Sequence, residues 1–226
     1  MSPPFLLPRG YEKMEKYLKG PLEKYLDDVA ARLPAPGGGS VSACAAALGA
    51  GLFCMVANFT TGEKYRNAEE KINRLLVEME GIRKRLISLI QEDVEAYTKL
   101  SLVYKLAKST DEEKRIRSEA IQKALKDALS VPLSIARESV RALGTGRDLL
   151  EIGNPALISD VGVGAVLLEA ALNGAVLNVR INLSAIRDEG FVREHEGELE
   201  KLLSGTGALK DELLDGTRKH MEGGKK

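Results

Sequence analysis

The sequence predicts an all-α protein, a multihelical, mostly up-and-down bundle with long antiparallel helices. Three observations predict it. Apolar residues recur at helical spacing nearly everywhere, and the alternation that marks strands is almost absent. Trp is missing and aromatic residues make up 4% of the 226 positions, so the core must be built from Leu, Ile, Val and many Ala. Over residues 65–107, Ile72, Met79, Leu86 and Leu100 are spaced by multiples of seven, with Leu75, Ile82, Leu89, Ile90, Tyr97 and Tyr104 in the neighbouring positions. That is a core-facing stripe at bundle spacing.

The elements follow in order. Residues 1–19 read as an irregular arm and a short helix. Pro21 suits a first helical turn, and Leu22, Tyr25, Leu26, Val29 and Leu33 form the stripe of a helix that Pro34 and Pro36 end. Gly37-Gly38-Gly39-Ser40 is an N-cap signal ahead of a small-residue helix over 40–59. After the long helix, Thr110 and Glu113 make a capping box for a helix to about Leu143, with Pro132 inside it. Pro132 frees a carbonyl near residue 128 and predicts a kink. A short helix over 147–152, a turn at Gly153-Asn154-Pro155 and a second small-residue helix over 160–184 come next. One or two charged amphipathic helices fill 187–226. The two small-residue helices are expected at the centre of the bundle. No repeat or interdomain linker is visible, so residues 1–226 read as one domain.

Composition excludes several classes. Lys plus Arg and Asp plus Glu both number 33, which argues against general attraction to nucleic acid or anionic membrane. Two Cys rule out a disulfide framework, and two His in charged C-terminal segments argue against a multi-His metal site. The start is too Pro-interrupted for a signal segment, and the apolar run Val41 to Ala57 is shorter than a bilayer span. A cytoplasmic protein with reduced Cys44 and Cys54 is expected, with no membrane partner and no metal.

Three constellations can carry chemistry. Pro34 to Ser40 places three glycines before a helix start, where backbone N–H groups and the helix dipole suit an anion; a flexible turn plus an N-cap is the plainer reading. Asp93 occupies the sevenfold position that otherwise holds Ile, Met and Leu. A carboxylate there needs a partner or a cavity; functional use and register-setting are both open. Glu92 and Glu95 fall away from the stripe. In the last small-residue helix, Asp160, Gly164, Leu167, Ala171, Gly174, Asn178 and Asn182 share an arc of about 80°. That face lets another chain or a flat ligand come close, and the amides suit a heterocycle edge. Asp160 also reads as a cap. Arg180 projects to the opposite side, toward a partner subunit or a carboxylate.

Taken together, Pro34-Ala35-Pro36-Gly37-Gly38-Gly39-Ser40-Val41, Met55-Val56-Ala57-Asn58-Phe59-Thr60, Asp93-Val94-Glu95-Ala96-Tyr97, Gly153-Asn154, Ser159-Asp160-Val161-Gly162-Val163 and Asn178-Val179-Arg180-Ile181-Asn182-Leu183 resemble the cyclodeaminase/cyclohydrolase family. The resemblance covers roughly residues 20–190. It implies an all-α homodimer acting on one-carbon tetrahydrofolates, with no cofactor beyond that substrate. Formiminotetrahydrofolate cyclodeaminase is the first expectation. Methenyltetrahydrofolate cyclohydrolase is the second, and a non-catalytic helical scaffold the third. Asp93 and Asp160 are the expected acid–base groups, converging on one cavity. Gly37, Gly38, Gly39, Ser40, Asn58, Lys64, Asn178, Arg180 and Asn182 are the expected binding residues. Lys64 follows Gly62-Glu63, where family members often have Lys directly after the Gly. The long stripe and the small-residue faces together suggest more packing surface than one chain covers.

Overall fold

The computed structural model describes residues 17–223, and among them every regular element is helical. The eight α-helices are α1 (Leu22–Ala30), α2 (Gly38–Asn58), α3 (Glu69–Val103), α4 (Asp111–Gly144), α5 (Gly146–Ile152), α6 (Ile158–Leu183), α7 (Glu189–Leu203) and α8 (Thr206–Gly223). Of the arm and short helix expected over 1–19, residues 1–16 lie outside the described residues, and Tyr17–Lys19 form a single 3-10 turn.

Four long helices form the bundle. α2 packs on α3 and α6, and α4 packs on α3 and α6, so the four close into a square. Neighbours run antiparallel. Along α2, Gly38 lies against Asn178, Ser42 against Gly174 and Gly49 against Gly164 and Leu168, so α6 descends as α2 rises. The small-residue face of α6 therefore meets the backbone of α2. A Cβ on Gly49 would sit 2.9 Å from the Gly164 carbonyl oxygen, a separation only glycine permits.

The sevenfold stripe of α3 is interior. Ile72, Met79, Ile82, Leu86 and Leu89 are buried, each worth about 1.5–3 kcal/mol of transfer free energy. Up to Leu89 this stripe is covered by its own chain and offers no surplus surface, whereas Tyr97 and Tyr104 at its end stay exposed. The placement of the small-residue helices also differs. α2 and α6 pack together, but each keeps one face open: Val41 and Leu48 on α2, Phe59 just past its end, and Val163, Val166, Leu177 and Ile181 on α6 are exposed.

Local signals hold where capping chemistry is explicit. The Thr110 hydroxyl accepts the Glu113 N–H at 3.2 Å, and the Glu113 carboxylate accepts the Thr110 N–H at 3.1 Å. α4 runs through Pro132 without interruption. At the far end of the bundle, Asn154 ties the α5–α6 connection to the end of α2. Its N–H donates to Thr60 Oγ1 at 2.9 Å, and its Nδ2 to the Phe59 carbonyl at 3.0 Å. α1 is the weakest match to the sequence: only Tyr25 is buried, and Leu22, Leu26, Val29 and Leu33 stay exposed.

Candidate active site

The start of α2 fixes the site. Gly37 is extended (φ −131°, ψ −163°), and helical geometry begins at Gly38. The first N–H groups of a helix have no carbonyl inside it. One of them is taken from far along the chain: the Ser40 N–H donates to Asp93 Oδ2 at 2.8 Å. The Ser40 hydroxyl turns inward, donating to the Ile90 carbonyl at 3.0 Å and meeting the Tyr25 hydroxyl at 3.0 Å. Asp93 thus comes off the α3 stripe to cap α2.

Gly39 makes this possible. A Cβ there would lie 2.1 Å from Asp93 Oδ1, so any side chain at 39 displaces the carboxylate. Asp93 also faces a cavity of about 490 Å³ at this end of the bundle. The cavity is walled by Gly37–Gly39, by Tyr97 of α3 and Tyr104 at its C-terminal cap, by Ala128 and Pro132 of α4, and by Asn178 and Asn182 of α6. Asn178 spends one amide proton on the Gly174 carbonyl of its own helix, at 2.8 Å. Its other N–H and its oxygen remain for the cavity.

Burial pushes the Asp93 carboxyl up to about 6, against the smaller opposing pull of the Ser40 N–H. Desolvation disfavours the charged form, and among the described residues no cationic side chain lines the cavity to restore it. A carboxyl titrating near neutrality at a cavity wall can both accept and return a proton.

Five expected residues stand elsewhere. Ser40 is behind the cavity wall; its N–H and hydroxyl are consumed by Asp93, Ile90 and Tyr25, so it offers nothing to a ligand. Asp160 does not share the cavity with Asp93. It sits in the first turn of α6, about 27 Å along the helix from Asn178 by helical rise, because α6 is one unbroken rod. Asn58 lines a separate polar hollow of about 440 Å³ at that same far end. Lys64 is nearby in sequence and exposed, its ammonium 5.3 Å from the Tyr65 ring. Arg180 points away, toward Glu196 of α7 at 3.7 Å.

The sequence reading missed Tyr97, Tyr104 and Pro132 as cavity walls. Two signals pointed to them: Tyr97 stands one turn from Asp93 on the same face, and Pro132 leaves the Ala128 carbonyl without its helical N–H.

The formiminotransferase-cyclodeaminase profile matches residues 21–201. The chain belongs to the formiminotransferase-cyclodeaminase family. The methenyltetrahydrofolate cyclohydrolase of Methylorubrum extorquens is 40% identical over 195 residues, covering 86% of this chain and 94% of that protein. The formimidoyltransferase-cyclodeaminase of Gallus gallus is 36% identical over 200 residues, which is 88% of this chain but 37% of that longer protein. The crystal structure of formiminotetrahydrofolate cyclodeaminase from Thermotoga maritima superposes with a TM-score of 0.76 at 33% identity, covering 92% of this chain and 98% of that one. The formiminotransferase-cyclodeaminase match takes in every residue of the Asp93 cavity and stops short of α8.

Proposed function

We propose that this enzyme acts on the one-carbon bridge of a tetrahydrofolate, and that its activity is that of a methenyltetrahydrofolate cyclohydrolase. The single observation that carries the reading is the half-buried Asp93 carboxyl, raised to about 6, at the wall of a cavity with two amide side chains and, among the described residues, no cation. The methenyl bridge is a flat amidinium cation. An ionised carboxylate beside it stabilises the positive charge. Asp93 takes a proton from water as the oxygen attacks the bridging carbon, giving a neutral tetrahedral adduct. The protonated Asp93 then returns that proton to N5 as the carbon–N5 bond breaks, and the hydroxyl of the adduct loses its own proton to the ionised Asp93 and on to water as the formyl carbonyl forms, leaving 10-formyltetrahydrofolate and one net proton. Asn178 and Asn182 hold the heterocycle edge.

The hydrolase is favoured over the deaminase by the M. extorquens relative, which matches across nearly its whole length at 40% identity. The T. maritima likeness supports the second reading, the cyclodeaminase, in which N10 attacks the formimino carbon, ammonia leaves and the same bridge forms. One spectrophotometric assay tests both. Loss of the methenyl chromophore faster than its spontaneous hydrolysis supports the hydrolase; its appearance from formiminotetrahydrofolate supports the deaminase. If neither change occurs, the reading is overturned.

The homodimer belongs to the same proposal, but its support moves to the open face of α2 and α6. Both helical segments are long and apolar enough to cross a membrane, yet about half of each is buried within the bundle. What remains is an apolar face two helices wide and about 30 Å long. That is the size of one side of a standard protein interface, about 800 Å² per partner.

A further inference from the structure

A second cavity opens beside the first. It occupies about 890 Å³ between the second half of α3 and the first half of α4, and it shares Ala96, Leu100 and Ala128 with the Asp93 cavity. Its walls are apolar, from Val103 and Leu106 on one side to Ile116 and Val131 on the other. Ala120, Ala124 and Ala128 recur at i, i+4 and i+8 along α4, so a flat group can lie close to the backbone there.

The rim is charged and mostly self-satisfied. Lys123 pairs with Asp127 at 2.6 Å, and Glu92 pairs with Arg85. Lys99 differs: it stands at the rim with no ion pair among the described residues. The path to it is direct. Asp93, Ala96 and Lys99 are three residues apart along α3, each step turning about 60° around the helix and rising about 4.5 Å. Lys99 is thus about 9 Å along the axis from Asp93, with the small Ala96 between them.

We propose that this groove is the subsite for the aryl-glutamate portion of the substrate. The inference rests on the tetrahydrofolate reading above. With the bridging carbon at Asp93, the pteridine fills the cavity between Tyr97 and Asn178. The aminobenzoyl ring attached to N10 leaves over Ala96 and lies on the alanine floor of α4. The glutamate carboxylates then reach the Lys99 ammonium. The groove supplies apolar contact for the ring and one free cation for the anionic end, which the Asp93 cavity lacks.

Two variants and two substrates test this. The methenyl derivatives of tetrahydrofolate and of tetrahydropteroate, which lacks the glutamate, are compared by KM. The wild-type enzyme is expected to prefer the glutamate-bearing substrate at least fivefold, and Lys99→Glu to reduce that preference below twofold. Ala124→Trp, which fills the groove, is expected to raise KM at least tenfold with kcat changed less than threefold. Circular dichroism confirms folding of each variant; Lys99 is exposed, so its substitution decides the matter should the tryptophan variant not fold. An active wild type with no glutamate preference, or a preference that survives in Lys99→Glu, overturns the groove alone. A wild type inactive in both the hydrolase and deaminase assays overturns the tetrahydrofolate reading itself.

Discussion

The Ser40 N–H donates to Asp93 Oδ2 at 2.8 Å across 53 positions of sequence, so one carboxylate both caps α2 and lines the cavity. Two influences on that carboxylate oppose each other. The helix start and its N–H favour the anion, while burial favours the neutral acid, and burial is the larger effect. The Asp93 carboxyl ends at about 6, where it can exchange a proton at physiological pH.

Activity should therefore rise with pH through a single ionisation near 6. Both folate reactions begin with an ionised base, taking a proton from water in one and from N10 in the other. The expected log(kcat/KM) profile climbs with unit slope below about pH 6 and levels above it. A profile flat from pH 5 to 8 would remove Asp93 from the chemistry.

Asp93→Asn separates catalysis from stability. Loss of the acid–base group should cost about 10²–10⁴ in kcat. Stability should move the other way. A carboxyl raised from its usual 3.8 to about 6 on folding adds stability below about pH 4, and that contribution is lost as pH rises through 6. Asparagine keeps an oxygen for the Ser40 N–H without the buried charge. Denaturant unfolding at equal protein concentration should show the variant more stable at pH 8 by on the order of 2–3 kcal/mol, with the difference vanishing near pH 4.

Gly39→Ala probes the contact from the other side. Its methyl group would fall 2.1 Å from Asp93 Oδ1, so the carboxylate or the helix start must shift. Overpacking of this kind costs about 1–3 kcal/mol. The activity loss should approach that of Asp93→Asn, while helix content by circular dichroism stays at the wild-type value. Unchanged turnover would mean that the carboxylate's position is not critical.

What the sequence revealed, and what it hid, follows from the range of each signal. Asp93 was legible because a carboxylate in a run of Ile, Met and Leu breaks a local rule on one helix. Asn178 and Asn182 were legible for the same reason. That Ser40 would be spent inside the fold was not, since its partners Ile90 and Asp93 arrive from 50 and 53 positions away. Asp160 shares a helix face with Asn178, and a face says nothing of how far apart two residues lie along it. The open side of α2 and α6 was hidden too: a helix apolar all round looks the same whether its last face meets its own chain or none.

Thr60 and Asn154 should behave as fold residues alone. Thr60 Oγ1 accepts the Asn154 N–H and donates to the Val56 carbonyl at 2.7 Å, closing the end of the bundle opposite Asp93. Thr60→Val strands a half-buried N–H, at a cost of about 1–3 kcal/mol. Unfolding midpoints should fall accordingly, while kcat per folded molecule stays within twofold of wild type.

The open α2/α6 face carries the last prediction. Leu48 and Leu177 are 60% and 68% exposed, although each is large enough to be a core residue. Leu48 sits in the middle of α2 and Leu177 toward the end of α6, so a second copy docking along the length of this face covers both. A charged residue buried at an interface without a partner costs several kcal/mol, so Leu48→Lys or Leu177→Glu should split the dimer. Light scattering at micromolar concentration should give twice the 24.5 kDa chain mass for the wild type and the single mass for either variant. The monomers should keep wild-type helix content, because neither side chain belongs to the buried core. A wild type already monomeric under these conditions would overturn the proposed homodimer.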